Sequence, residues 1–285
     1  MKYLSHDCPE AERFLKSISN HVDRLTREEI PFYIIVDEAW IRALVTIHIE
    51  PTFFFAPSGS TLGKIMLLNP DLAYLDDILD CAALLLQKEG LFYLVYPSVP
   101  VPDEFREVLN KFDYTIMDHS YSMSVEIEIP PKFPEGLIFK PMNPADTYDI
   151  LRTHTEFYKG TGDLANPILT ESLFTLSENE LNSMFNEDTT FLATENGTIV
   201  GIVVISVDQG LLTSIAVSPE RRGKGIARKI LAFAVIRLKE LGWGKIYLRV
   251  HAENLPAIKL YKSFGFIVKS ETISYVYYPT CRLVE

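Results

Sequence analysis

Residues 211–227, which read LLTSIAVSPERRGKGIA, decide the fold of the second half of this chain. Leu211–Val217 is apolar and rich in strand-forming residues, and the proline after it ends the strand. A loop with Gly223 and Gly225 then opens into a helical pattern. A strand that enters a helix through such a loop directs backbone N–H groups and the positive helix end at one point. The stretch therefore predicts an anion site, suited to phosphate, although Arg-Gly-x-Gly also occurs in ordinary surface turns.

Composition describes a globular protein with a large core. The chain has 285 residues, 47% hydrophobic and 23% charged, which allows one large or two medium domains. Its longest segments without a charged residue are 51–63 and 90–102, too short to span a bilayer. The first sixteen residues are too charged for a signal peptide. Three distant cysteines show no disulfide or metal-ligand spacing, so we expect no metal and a cytoplasmic location: Cys8, Cys81 and Cys281.

The net charge of −11 lies in the first half of the chain. Residues 1–135 carry 11 basic and 22 acidic side chains, whereas residues 136–285 carry 16 of each. An acidic half disfavours nucleic acid or an anionic membrane as a partner. It is compatible with a cationic partner, but a solvated acidic surface is the commoner reason for such a balance.

Periodicity predicts two α/β units separated by the proline-rich residues 130–136. We therefore expect domains over 1–130 and 137–285. In the first, helices are predicted over 9–28, 71–88 and 104–112, and strands over 31–36, 41–48, 64–69, 91–96 and 121–129. In the second, helices are predicted over 144–158, 170–185, 226–241 and 256–264, and strands over 137–140, 190–194, 199–207, 211–217, 245–250 and toward the C-terminus, with Asn196-Gly197 as a type I′ turn.

The two halves resemble each other, which predicts an internal repeat. Phe92-Tyr93-Leu94 parallels Ile246-Tyr247-Leu248, and the Phe-Asp-Tyr at 112–114 parallels the Phe-Gly-Phe at 264–266. The first half is five residues shorter where the second has its glycine loop, and it places Leu109 where the second has Tyr261. The alternative is a chance likeness between two α/β halves.

A second motif lies downstream, where Asn254-x-x-Ala257-x-x-x-Tyr261 is followed by Gly265-Phe266. Together with Arg222-x-x-Gly225-x-Ala227, this pattern resembles the GNAT superfamily of acyl-CoA-dependent N-acyltransferases over residues 137–285. The resemblance implies a mixed, twisted sheet flanked by helices in each unit. It also implies that the central strands of the C-terminal unit splay apart. With the repeat, it indicates a tandem chain whose N-terminal copy is degenerate and binds no cofactor.

The resemblance implies that acetyl-CoA or another acyl-CoA is the cofactor. Backbone N–H groups of the loop would hold the pyrophosphate, nearby basic side chains would add positive charge, and the pantetheine arm would bond to the free edge of the splayed strand. Asn254 would bond the pantetheine, cap a helix, or both. The implied cofactor-binding residues are Ile215, Ala216, Val217, Arg222, Gly223, Lys224, Gly225, Ile226, Ala227, Arg228, Asn254 and Tyr261.

Tyr261 matches the general acid of the family. A phenol with an ordinary pKa near 10 can stabilise or protonate a leaving thiolate at hydrogen-bond distance. A backbone N–H of the strand at 215–217 would stabilise the oxyanion. The alternative role for Tyr261 is packing beside Ile258 and Phe264. Since no cysteine lies near the motifs, direct attack of the amine in a ternary complex is expected.

The sequence departs from the family pattern at the general base, because residues 211–217 contain no carboxylate. The candidates are Asp208, Glu253, His251, and a water held by Thr213 and Ser214. Asp208 also suits the turn between two strands, and His251 suits a structural role. A small amine of low pKa would need little help from a base.

The acceptor site in this family is built from early helices, here residues 146–186. His154, Glu156, Tyr158 and the Gly160–Gly162 turn are candidate lining, although solvated positions are the commoner situation for such helix residues. We expect an N-acetyltransferase acting on a primary amine, either a small molecule or a peptide N-terminus, and possible homodimers. The alternative is a non-catalytic acyl-CoA-binding or regulatory module.

Overall fold

The computed structural model describes residues 1–49, 59–68, 71–98, 102–161, 173 and 176–278. The chain forms two compact units, each a mixed sheet with helices. The N-terminal unit comprises Met1–His119 and the described residues from Thr272 onward, and the C-terminal unit comprises Ser120–Glu271. No helix in these ranges is both long and apolar enough to cross a bilayer.

In its described residues, the N-terminal unit has six strands in the order β1-β2-β3-β4-β5-β12, antiparallel except for the parallel pair β4–β5. Its core helix α3 presents Leu75, Ile78, Leu79 and Leu86 to the sheet at helical spacing and ends at the left-handed Gly90. The strands are β1 Lys2–Ser5, β2 Phe32–Val36, β3 Ile41–Ile49, β4 Thr61–Leu67, β5 Tyr93–Ser98 and β12 Ile267–Tyr277; the helices are α1 Glu12–Leu15, α2 Ser19–Arg27, α3 Leu75–Glu89 and α4 Asp103–Lys111.

The described part of the C-terminal unit has six strands in the order β6-β11-β10-β9-β8-β7, antiparallel except for the parallel pair β10–β11. Its helix α7 is buried over Ile230, Leu231 and Ala234, and it packs on β9 and β10. The strands are β6 Thr115–Glu126, β7 Ile138–Pro141, β8 Thr190–Glu195, β9 Thr198–Ser206, β10 Leu211–Val217 and β11 Lys245–His251; the helices are α5 Thr147–Tyr158, α6 Glu178–Met184, α7 Ile226–Glu240 and α8 Leu255–Ser263.

Most predicted elements are present, with shifts at their ends. The helix expected over 9–28 is instead α1, a 3₁₀ turn at Lys16–Ile18, and α2. This break lets Phe14 and Leu25 reach one apolar cluster around Phe32. The strand predicted over 121–129 begins six residues earlier, as β6, and the strand predicted over 64–69 ends at Leu67. Within the helix predicted over 170–185, residues 170–172, 174 and 175 lie outside the described residues, and α6 covers Glu178–Met184.

The hairpin turn was predicted correctly. Asn196 and Gly197 have φ values of 50° and 79°, the left-handed conformations that a type I′ turn requires at both central positions. The flanking pair, Glu195 opposite Thr198, closes the β8–β9 ladder.

The division into units differs from the boundary predicted at residues 130–136. In the N-terminal unit, the strand beside β5 is contributed by Ile273–Tyr277 of β12. In the C-terminal unit, the strand beside β11 is contributed by Ser120–Glu126 of β6. Each unit therefore takes its last strand from the other half of the sequence. Composition alone marks a linker, but it carries no information about which strand pairs with which.

The repeat is visible in matching turns. After α4, the Tyr114 N–H donates to the Leu109 carbonyl at 3.0 Å, and after α8 the Phe266 N–H donates to the Tyr261 carbonyl at 3.1 Å. The residue before each aromatic has positive φ in both cases. Leu109, fully buried in its own unit, therefore occupies the position that Tyr261 occupies in the other.

The two units differ where a phosphate would bind. The segment from Leu68 to Tyr74, between β4 and α3, contains no glycine. The Asp71 side chain accepts from the Ala73 N–H, and the first turn of α3 carries two more carboxylates. Negative charge at a helix N-terminus repels an anion. The start of α3 is therefore unsuited to hold a pyrophosphate.

Candidate functional site

Strands β10 and β11 pair at one end only. Their parallel register joins Leu211 to Tyr247 and Leu212 to Leu248, and no further pair follows along these two fully described strands. On its other side, β10 pairs with β9 through Val217, with a bulge at Thr213. The predicted splay of the central strands is therefore present, and it leaves one edge of β10 without a ladder partner.

The direction of the backbone groups on this open edge follows from strand alternation. The Ser218 N–H donates to the Val200 carbonyl of β9 at 3.1 Å. Because the direction alternates along a strand, the N–H groups of Ala216 and Ser214 also face β9. Those of Ile215 and Val217 then face the open side. Backbone donors without a ladder partner are suited to bind the amides of an extended ligand.

The glycines of the loop are required by backbone conformation. Gly223 and Gly225 have φ values of 75° and 79°, in the left-handed region that other residues rarely adopt. A β-carbon at either position would meet no atom within 4 Å, so crowding is not the reason for glycine. Gly225 is the N-cap of α7, which points the first N–H groups of that helix out of the loop.

The open edge, the loop and α8 enclose a cleft of about 320 Å³ within the C-terminal unit. Every predicted cofactor-binding residue except Lys224 lines it; Lys224 is exposed in the loop. The lining residues that were not predicted to bind the cofactor are Phe157, Gly160, Thr161, Arg221, Pro256, Ala257 and Leu260. Gly160 and Thr161 belong to the turn predicted to line the acceptor site, whose Gly162 lies outside the described residues.

Arg222 has a structural role that its predicted charge role did not include. Its Nη2 donates to the Phe157 carbonyl at 2.7 Å, and its Nε donates to the Val217 carbonyl at 3.3 Å. The guanidinium thus joins the end of α5, the end of β10 and the loop. Arg228 donates to the Ser263 hydroxyl and lies over the Phe264 ring, while Arg221 pairs with Glu195 at 2.8 Å.

Tyr261 fits both roles considered from sequence. It is buried in the same apolar cluster as Ile258, with its ring 5.9 Å from that of Phe266, and it also lines the cleft. Asn254 is both a helix cap and a lining residue of the cleft. As the N-cap of α8, its side chain accepts a hydrogen bond from the Ala257 N–H at 3.3 Å.

The candidate bases from sequence are not gathered at the cleft. Asp208 is exposed in the turn before β10, and Glu253 is exposed after β11. The ring Nδ1 of His251 accepts from the Glu253 N–H at 3.3 Å, which is a local turn contact. Among the described lining residues there is no Asp, Glu or His.

A buried polar group lies behind the open strand. The Ser214 hydroxyl lies 2.8 Å from Nε2 of His154 and 2.9 Å from the Tyr158 hydroxyl. Burial lowers the pKa of His154 to about 4, so the imidazole is neutral at physiological pH. The expectation that His154 and Tyr158 are solvated is wrong, because both pack onto β10. Glu156 is exposed and pairs with Lys159, as expected for a solvated helix residue.

The described parts of the chain bring no three His, Cys, Asp or Glu side chains together in a way that could hold a metal ion. The cleft itself is lined by backbone donors, a helix N-terminus, a phenol and arginines. This donor set suits a phosphorylated ligand with amide groups.

Comparisons with known proteins agree with this geometry. The model of the Acetyltransferase (GNAT) family matches residues 152–266. The [Ribosomal protein bS18]-alanine N-acetyltransferase of Escherichia coli K12 is 36% identical over 92 residues, which cover 32% of this chain and 61% of that protein. The streptothricin acetyltransferase of Streptomyces lavendulae is 37% identical over 82 residues, covering 27% of this chain and 43% of that protein. The chain thus spans less than two thirds of either relative.

Solved structures extend the likeness of the fold to both units. A GCN5-related N-acetyltransferase from Sphaerobacter thermophilus superposes with a TM-score of 0.62 at 16% identity, covering 87% of this chain and 80% of that one. A tandem GNAT protein from the clavulanic acid biosynthesis pathway gives a TM-score of 0.51 at 10% identity, over 87% and 82% of the two chains. The family model thus matches the part of the chain that holds the splayed strands and the loop at residues 222–227, and the solved structures show that the fold is similar to that of GNAT proteins.

Proposed function

We propose that the C-terminal unit transfers an acetyl group from acetyl-CoA to a primary amine. The observation that carries this proposal is the meeting, in one cleft, of the open β10 edge, the N-terminus of α7 and Tyr261. Acetyl-CoA supplies a thioester that an amine can attack directly.

The residues present fit such a ligand. The N–H groups at the start of α7 and the exposed Lys224 side chain would hold the pyrophosphate. The N–H groups of Ile215 and Val217, on the open edge of β10, would donate hydrogen bonds to the amides of the pantetheine arm. Arg222 would act mainly by fixing the loop, since its guanidinium is held by two carbonyls. Holding both reactants in place would supply most of the rate, because effective molarity is the largest available effect.

Tyr261 would donate its phenolic proton toward the departing sulfur. A backbone N–H on the open edge would stabilise the negative charge that develops on the carbonyl oxygen. Since the described lining carries no acidic or histidine side chain, the proton of the amine would leave through water. This favours acceptors whose amine has a low pKa, such as a peptide N-terminus with an ordinary value near 7.7–8.0.

The relatives support two classes of acceptor for the proposed reaction. One is named as an alanine N-acetyltransferase of ribosomal protein bS18 and another as a streptothricin acetyltransferase, so a protein acceptor and a small-molecule acceptor are both represented. The lack of a carboxylate in the cleft also favours a second candidate, a non-catalytic module that binds acyl-CoA. The two differ in whether acetyl-CoA is turned over.

The N-terminal unit is proposed to be a degenerate copy that binds no cofactor. Leu109 stands in place of the phenol, and the segment before α3 has carboxylates in place of glycines. The chain should therefore bind one acetyl-CoA, in the C-terminal unit.

Calorimetric titration with acetyl-CoA tests the proposal, with Gly225→Glu and Gly242→Glu as matched variants. Both glycines have positive φ and open space around them, but Gly242 follows α7 at its far end and does not line the cleft. We expect one molar equivalent for the wild type and for Gly242→Glu, and none for Gly225→Glu. Two equivalents would overturn the assignment of the N-terminal unit, and no binding by the folded wild type would overturn the proposed function.

An amine panel followed by thiol release separates the enzyme from the binding module. The panel should hold peptides with free N-termini and small primary amines. Release of coenzyme A that depends on an added amine supports the transferase. Stoichiometric binding without any release would support the module instead.

A further inference from the structure

The buried group behind β10 is polar, whereas most buried side chains of the C-terminal unit are apolar. His154 is 5% exposed and Ser214 is 9% exposed, and the Tyr158 ring lies 4.8 Å from the imidazole. Two residues from α5 thus converge on one serine of the open strand. Buried polar groups are retained when each is hydrogen-bonded, so the direction of these bonds matters.

The unequal surroundings of the two imidazole nitrogens indicate that direction. Nε2 of His154 meets Ser214, whereas Nδ1 is buried and has no hydrogen-bond partner among the described residues. An unpaired buried N–H is rarer than an unpaired acceptor lone pair. The proton therefore belongs on Nε2, which then donates to the Ser214 oxygen.

The remaining hydroxyls then point one way. Since the Ser214 oxygen accepts from His154, its own proton is available for the Tyr158 hydroxyl at 2.9 Å. The Tyr158 proton is directed at the Ile215 carbonyl, 3.5 Å away at the long limit of a hydrogen bond. Ile215 follows the bulge at Thr213 and lines the cleft with an open-edge N–H.

We propose that His154 and Tyr158 are positioning residues that hold the open edge of β10 at Ile215 through this one-directional hydrogen-bond chain. The inference rests on the proposed function, because the held edge acts by binding acetyl-CoA. Beyond Leu212, β10 has ladder pairs with β9 but none with β11. The Ile215 carbonyl lies on the same strand edge as the Ile215 N–H, so the chain from α5 holds that edge in place before the ligand arrives.

The test measures acetyl-CoA affinity by calorimetry in Tyr158→Phe, His154→Phe and the double variant. Each single variant breaks the chain while keeping an aromatic ring, so we expect the dissociation constant to rise about three- to ten-fold. The double variant should bind acetyl-CoA with the same affinity as the single variant that binds it less tightly, because one break already disconnects the chain. His154→Gln, which keeps a donor near Nε2, should stay within about two-fold of the wild type.

Two controls separate the possible failures. Thr153→Ala removes another hydroxyl hydrogen bond of α5, to the Asp149 carbonyl on its exposed side, and should leave the affinity unchanged. Nitrogen NMR of the imidazole in the free protein reports the tautomer without any ligand. Folded variants with unchanged or additive affinities, or a proton on Nδ1, would overturn the chain. A folded wild type that binds no acetyl-CoA would overturn the proposed function and the positioning role with it.

Discussion

The Arg222 side chain offers a sharp test, because its two possible roles predict opposite results. The structure engages its guanidinium with the Phe157 and Val217 carbonyls, so Arg222→Ala should destabilise the folded protein before any ligand is added. A phosphate-binding arginine without structural bonds would lower affinity and leave stability unchanged.

The magnitude follows from the two hydrogen bonds. A hydrogen bond from a charged donor contributes about 1.5–3 kcal/mol. The Nη2 contact is short, at 2.7 Å, and the Nε contact is long, at 3.3 Å. Because the side chain is half-exposed, each bond should contribute no more than the lower limit of that energy range. We expect Arg222→Ala to lower the free energy of unfolding by about 2–3 kcal/mol. For a chain of this size the melting temperature should fall by about 5–10 °C.

Arg222→Lys refines the test, since one ammonium group cannot reach both carbonyls with the geometry of a planar guanidinium. Arg222→Lys should lower the free energy of unfolding by about half as much as Arg222→Ala. Lys224→Ala is the matched control two residues away: it is exposed, so stability should not change, while acetyl-CoA affinity should fall in a salt-dependent way. Chemical denaturation without ligand gives the free energies. If Arg222→Ala is as stable as the wild type, the structural role described here is wrong.

Three further predictions concern the chemistry, the packing and the pH dependence of the C-terminal unit. Tyr261→Phe should lower kcat about 10²-fold or more in thiol release with little change in acetyl-CoA affinity, and an unchanged kcat would remove Tyr261 as the general acid. Gly210→Ala should destabilise the protein by about 2–4 kcal/mol in urea denaturation, because Gly210 has a φ of +61° and a β-carbon there would lie 2.7 Å from the Trp243 ring. Gly244→Ala is the control, since a β-carbon at that position meets nothing within 4 Å. Burial lowers the pKa of His154 from its ordinary 6.5 to about 4, so the unfolded chain binds more protons between these values and stability is lost as pH falls through this window. His154→Phe should remove up to about 3 kcal/mol of that pH dependence, and equal acid profiles of the two proteins would contradict the depressed pKa.

The glycine loop and the start of α8 could be predicted from sequence because their constraints are local. Gly223 and Gly225 are required by positive φ within one loop, and the spacing from Asn254 to Tyr261 is set by one helix. Such features depend on neighbours in the chain. The repeat was also legible, because matching turns require matching residue types, as at Tyr114 and Phe266.

The features that escaped prediction depend on partners distant in sequence. The Ser214 hydroxyl meets His154 across 60 residues, and no rule local to the chain pairs these two side chains. The helical spacing of α5 places His154 on the same face as Ile150, Leu151 and Tyr158, which predicts burial but not the hydrogen-bond partner. The unit boundary escaped for the same reason, since composition marks the prolines at 130–136 but not the register of the strands.

The placement of β12 in the N-terminal unit has a consequence for how the protein is made. Ile273 pairs with Ser98, 175 residues earlier in the chain. At a synthesis rate of about 5–20 residues per second, β5 would wait roughly 9–35 s on the ribosome for this neighbour. During that time its edge is exposed to other nascent strands. The N-terminal unit is thus synthesised first but cannot complete its sheet first, which makes it the part of the chain that would most need protection by a chaperone.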